Sequence, residues 1–183
     1  MGAATAVALV ALVVVGGCVA PAPSGSTGGD PVDRRAEDKG FLLTTHLPTS
    51  TFDAGTAIPL ETMLTYTGPA PKATLWGSGS GPVSMSYTEL TGAHRSMGGV
   101  MTADCAPHDF ARGVPALVRP VKSWAASQDD PNHAFFVAWG DDPELHLPAG
   151  RWRIDVSAGG FLAECAADAP GLSLAIPIEI TIR

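Results

Sequence analysis

The chain has 183 residues, 45% of them hydrophobic and 16% charged, a composition that suits a folded domain with a core rather than a disordered segment. Its 18 acidic residues outnumber 11 basic ones, giving a formal charge of −7. With no cluster of Lys or Arg to neutralise phosphates, the balance argues against nucleic acid as a partner and against electrostatic attachment to anionic lipid.

The first element is Ala3–Val15, an apolar run without charge. It is shorter than the roughly 20 residues that span a bilayer and suits the apolar region of a signal peptide. It leads into Val15-Gly16-Gly17-Cys18, which resembles the lipobox of bacterial lipoproteins. That resemblance implies a signal peptide over residues 1–17, diacylglycerol on the Cys18 thiol, and a membrane-anchored protein on the extracytoplasmic face. An ordinary secretory signal with an incidental Cys18 is the alternative. No Lys or Arg precedes the apolar run, a departure from the usual pattern that points to a start further upstream. Val19–Asp33 is rich in Pro, Gly, Ser and Ala and reads as a flexible tether. Arg34–Lys39 reads as a solvated lead-in, so residues 18–39 form the linker and residues 40–183 the domain.

From Gly40 onward apolar residues recur with period two, the mark of half-buried strands. Ile58, Leu60, Thr62, Leu64 and Tyr66 share one face, as do Val83, Met85 and Tyr87, and Trp152, Ile154 and Val156. Alternation is clearest from Leu172 to Ile182, interrupted only by Pro177, which marks an edge, a bulge or a switch between sheets. Phe41–His46, Ala73–Gly77, Val114–Val121 and Ala134–Trp139 are further predicted strands. Turn signals such as Gly68-Pro69, Asp130-Pro131 and Asp142-Pro143 separate them, and no long segment has the period of an amphipathic helix. About eight short strands at this spacing predict an all-β sandwich of two antiparallel sheets.

Thr51–Ile58 followed by Leu64–Gly68, together with Leu147–Ile154, resembles segments of immunoglobulin-like domains in bacterial surface lipoproteins. The same two regions are similar to the BsuPI-type proteinase inhibitors. The resemblance implies an immunoglobulin-like fold over about residues 40–183 and, for the inhibitors, action through an exposed loop.

With Cys18 assigned to lipid, Cys105 and Cys165 remain as an even pair in an exported domain. A disulfide is the expectation, because no C-x-x-C occurs and two thiols alone rarely hold zinc. Gly77-Ser78-Gly79-Ser80-Gly81 lacks the Lys of a phosphate loop and the central Ser of a hydrolase elbow. It reads as a mobile connection, with ligand contact through backbone amides as the alternative. Histidine and acid concentrate between Asp104 and His146: Asp104, His108-Asp109, Asp129-Asp130-Pro131-Asn132-His133 and Asp141-Asp142-Pro143-Glu144-Leu145-His146. Oxygen ligands suit Ca²⁺ and mixed His and carboxylate suit a transition metal. Yet no known loop pattern is matched, and Asp before Pro is ordinary turn chemistry, so no metal or other cofactor is expected. Trp76, Trp124, Trp139 and Trp152 are assigned to the core, Trp124 being the one in a loop-like context. The leading functional expectation is a non-catalytic surface module that binds a protein, glycan or small ligand, or serves the envelope structurally. A proteinase-inhibitor-like domain is the second reading, and a metal-assisted hydrolase using the acidic loops is the third.

Overall fold

The computed structural model of the protein describes residues 29–165 and 170–183. Two sheets enclose one apolar core. The smaller sheet has the order β1 (Val32–Asp38), β2 (Phe41–Leu47), β4 (Glu61–Tyr66) and β9 (Pro115–Val118). The larger runs β3 (Thr51–Phe52), β11 (Gly171–Ile182), β10 (Gly150–Phe161), β5 (Lys72–Gly77) and β8 (Ala106–Ala111), with β6 (Val83–Glu89) also on β10 and β7 (Ser96–Gly98) on β6. The architecture is the expected all-β sandwich. The larger sheet is mixed rather than purely antiparallel, because the short β3 runs parallel to the end of β11.

Alternation positions the core. The even-numbered residues Leu172 to Ile182 on β11 and Trp152, Ile154, Val156 and Ala158 on β10 are all buried. The two strands pair along their whole length, Gly150 with Ile182 through Phe161 with Gly171. Ile58, Leu60, Thr62, Leu64 and Tyr66 are likewise buried, as are Val83, Met85 and Tyr87. Pro177 lies opposite Asp155, where the other flank of β11 pairs with no described strand, so its missing donor costs no ladder bond. Along its other flank β10 pairs first with β6 over Trp152–Ala158 and then with β5 at Phe161. The change of partner falls at Gly159-Gly160, where a Cβ on Gly160 would sit 2.7 Å from the Trp76 carbonyl oxygen.

Three sequence expectations need correction. Arg34–Lys39 is not a solvated lead-in: Val32–Asp38 is an edge strand paired in full register with β2, so the sandwich begins before residue 40 and the linker is shorter than residues 18–39. Its polar side chains hide it from a hydrophobic pattern, and a two-residue turn closes the hairpin with Lys39 and Gly40 both at positive φ. Ala134–Trp139 is not a strand: His133–Asp141 forms helix α1. A short apolar run is ambiguous between strand and buried helix; here Phe136 and Trp139, three apart, share the buried face. Pro131 and the Asp130 carboxylate, which accepts from the Asn132 amide at 2.7 Å, shape the turn before it. Val114–Val121 contracts to Pro115–Val118, while β8, which the pattern missed, carries His108-Asp109.

Candidate functional site

Cys18 and its lipobox lie outside the described residues. The other cysteines are joined: Cys105 and Cys165 are bridged, with Cα atoms 6.1 Å apart. The bridge ties the residue before β8 to the β10–β11 connection, around the end of β10 where that strand meets β5.

The Gly-Ser run sits beside this bridge and is braced. Asp104 accepts the Gly79 amide at 2.9 Å, and Ser78 Oγ lies 2.8 Å from Thr102 Oγ1 and 2.7 Å from Ser80 Oγ. A Cβ on Gly79 would overlap Asp104 Oδ2 at 2.1 Å, so this glycine makes room for the carboxylate. Hydrogen bonds from the Thr102 side chain and the Gly79 amide hold the Asp104 carboxyl below its ordinary range. An amide that a phosphate loop offers to a ligand is thus satisfied by the chain's own anion. Next to the loop, a groove of about 410 Å³ runs over the outer face of the larger sheet. Ser84, Ser157, Gly159 and Ser173 line it together with Met101 and Thr102.

The histidine- and acid-bearing segment does not converge on one place. His108 Nε2 lies 2.8 Å from the Ser78 carbonyl oxygen, and Asp109 accepts from Thr74 Oγ1 at 2.6 Å. Asp142 Oδ1 accepts the Glu144 amide at 2.8 Å and Oδ2 lies 2.6 Å from His146 Nδ1. These contacts, the Glu144 amide first, lower the Asp142 carboxyl from its ordinary value. Among the described residues no three His, Cys, Asp or Glu side chains gather as a metal site. The oxygen-rich end of α1 instead surrounds an ammonium group. Lys122 Nζ donates to the carbonyls of Trp139 at 3.0 Å and Asp142 at 2.8 Å, and to that of Glu144. It also lies 5.2 Å from the Trp139 ring centroid. Here a lysine satisfies the free carbonyls of a helix C-terminus. Burial lowers the Lys122 pKa, and the Asp142 and Glu144 charges oppose that shift.

The pattern also missed an ion pair. Glu89, 2% exposed, receives Arg95 Nε at 2.9 Å and Arg95 Nη2 at 3.0 Å on separate oxygens. The guanidinium lies 4.4 Å from the Phe135 ring centroid and 5.8 Å from that of Trp152, so the pair joins β6, α1 and β10. The hydrogen bonds from Arg95 dominate and lower the Glu89 carboxyl despite its burial. A signal was present: Glu89 continues the inward positions of Val83, Met85 and Tyr87, where a carboxylate needs a partner. Of the tryptophans, Trp139 and Trp152 are core, whereas Trp76 and Trp124 are half-buried. Trp124 packs on α1, stacked against Phe136 at 6.1 Å and edge-on to His133 at 5.7 Å. Comparison with protein-family models, with curated proteins and with solved structures returned no match.

Proposed function

We propose that the chain is an exported lipoprotein whose β-sandwich acts without catalysis at the outer side of a cell membrane. The observation that carries this reading is the placement of Val15-Gly16-Gly17-Cys18: it ends an apolar run and precedes the first strand by positions 19–31. Diacylglycerol on Cys18 would leave about 13 residues, positions 19–31, between lipid and fold. The Cys105–Cys165 bridge is compatible with an oxidising compartment. A binding or structural role is supported by the internal use of the charged groups: Asp104 braces a loop, Lys122 caps a helix, and Glu89 and Arg95 neutralise one another. The uncharged groove along Ser84, Ser157 and Ser173 offers hydroxyls to a protein or glycan ligand.

The test is to express the full chain in a bacterium fed a clickable fatty acid. Wild type should carry the label and fractionate with membranes, and Cys18→Ser should lose both properties. Equal label in the two would overturn the lipoprotein reading.

A further inference from the structure

We infer that the Cys105–Cys165 bridge is a redox-operated buckle: its reduction lets the segment Gly99–Cys105 lift off the groove on the outer face of the larger sheet. The inference rests on the reading of that groove as a ligand site. The segment contributes Met101 and Thr102 to the groove lining, while β10 and β11 contribute Ser157, Gly159 and Ser173. It joins β7 to β8 without strand or helix, and all seven of its residues are exposed. Val100 and Met101 leave 53% and 37% of their surface in water, so no buried apolar side chain fastens the segment to the sheet.

Its hydrogen bonds lead away from the groove floor. At the β7 end the Gly99 amide donates to the Met85 carbonyl at 2.9 Å and the Val100 amide to Ser123 Oγ at 3.1 Å. At the β8 end Thr102 and Asp104 bond to Ser78, Gly79 and Ser80 of the β5–β6 connection. Among the described residues none of these bonds reaches β10 or β11, whereas the bridge ends on Cys165 in the connection that follows β10. A hinge is present at the β7 end: Gly98 and Gly99 are both at positive φ, 88° and 74°. A Cβ on Gly98 would lie 2.2 Å from the Met85 carbonyl oxygen, so only glycine fits there. Consecutive glycines can absorb the backbone rotation of such a movement. Both β7 and β8 keep their ladder partners, so the motion is confined to the seven residues between them and the Gly-Ser turn bonded to them.

The chemistry is thiol–disulfide exchange with a dithiol reductant. Cys105 is exposed, Cys165 is half-buried, and neither belongs to the apolar core. A thiolate of the reductant attacks the Cys105 sulfur, and Cys165 leaves as a thiolate that takes up a proton. The reductant's second thiolate then displaces the Cys105 sulfur, which is protonated in turn. The reductant ends as a disulfide and the protein as two thiols. Because the core does not include the bridge, the reduced sandwich stays folded and only the groove wall is released. The oxidised chain holds a narrow groove, and the reduced chain admits a broader ligand.

The experiment follows backbone amides of the full chain in detergent by NMR, with a soluble nitroxide as the probe, before and after dithiothreitol. Relaxation by the nitroxide at Ser157 and Gly159, on the groove floor, should rise at least about twofold on reduction. Arg153 and Glu179, paired on the same face beyond the groove, and Val156 in the core should not change. Reoxidation should restore the original rates, and Cys105→Ser with Cys165→Ser should show the fast rates without reductant. Unchanged rates at Ser157 and Gly159, with both thiols shown free by mass, would overturn the buckle. Collapse of the dispersed amide spectrum on reduction would also overturn it, because the bridge would then hold the whole sandwich. The probe is neither lipid nor groove ligand. A missing fatty-acid label would therefore defeat the lipoprotein reading and leave these rates as they are, so the two fail separately.

Discussion

The two ends of β10 are held by different chemistry. At the Gly150 end, charge is withdrawn from water: Glu89 and Arg95 pair between Phe135 and Trp152, and Lys122 closes the nearby helix. At the Phe161 end, the Cys105–Cys165 bridge is covalent, and around it Asp104, Ser78 and Thr102 make hydrogen bonds that remain open to solvent. The strand is 12 residues long, so these ends are about 36 Å apart. Both bring distant chain segments together, one by electrostatics that depends on pH and the other by a bond that depends on redox conditions. Their responses should therefore separate.

The largest effect belongs to the bridge. It closes a loop with a sequence separation of 60, and loop-closure entropy alone gives about 4 kcal/mol. Cys105→Ala should lower stability by about that amount in denaturant titrations. Reductant should destabilise wild type and leave the variant unchanged; equal sensitivity would break the proposed separation. Next comes Glu89→Gln, which leaves Arg95 without its countercharge and should cost about 3 kcal/mol. The pH dependence has a definite sign. The folded Glu89 carboxyl titrates below its ordinary value, so its contribution is complete above the unfolded pKa of about 4.3 and is lost as pH falls through the folded value. The difference between wild type and Glu89→Gln should shrink on acidification below about pH 5, measured under oxidising conditions so that the bridge is constant.

What could be read in advance follows the same division. The strand Leu172–Ile182 was legible because one face is buried at every second residue, and the sandwich followed from several such runs. The cysteine pair was legible by elimination once Cys18 was assigned to lipid. The Gly150 end was much less so. Its helix is built from the apolar run at Ala134–Trp139, whose burial alone fits a strand equally well. The Lys122 carbonyl cage depends on a long-range approach, since its oxygens belong to Trp139, Asp142 and Glu144. The edge strand β1 was hidden because only Val32 is fully buried and backbone pairing with β2 supplies the order. Interactions between ions and carbonyls leave no periodic trace, whereas burial of alternate side chains does.

Lys122 sharpens the contrast within the electrostatic end. Three carbonyl bonds favour its ammonium, while withdrawal from water opposes it and lowers its pKa. Lys122→Met loses the bonds and the desolvation cost together, so it should change stability at pH 7 by about 1 kcal/mol or less, well below the effect of Glu89→Gln. A depressed lysine pKa means that the unfolded chain binds the proton more tightly. The Lys122 contribution to stability should therefore rise as pH climbs through the interval between the folded and unfolded values, and Lys122→Met should remove that alkaline rise.

Asp104 should produce the smallest thermodynamic effect, because its carboxylate is open to solvent and water can replace its hydrogen bonds. Its influence is local. The Gly79 amide and the Thr102 hydroxyl would lose their acceptor in Asp104→Ala, while Ser78, Ser80 and Thr102 keep their mutual contacts. Amide exchange at Gly79 should accelerate with no measurable change in the melting temperature, as expected for local opening that leaves the global equilibrium alone. Adding inorganic phosphate or sulfate gives a second measurement. Removing the carboxylate frees the Gly79 amide, so the variant should show an anion-dependent amide shift that wild type lacks. A response of equal size in wild type would mean that Asp104 does not occupy the loop in solution, and the Phe161 end would then rest on the disulfide alone.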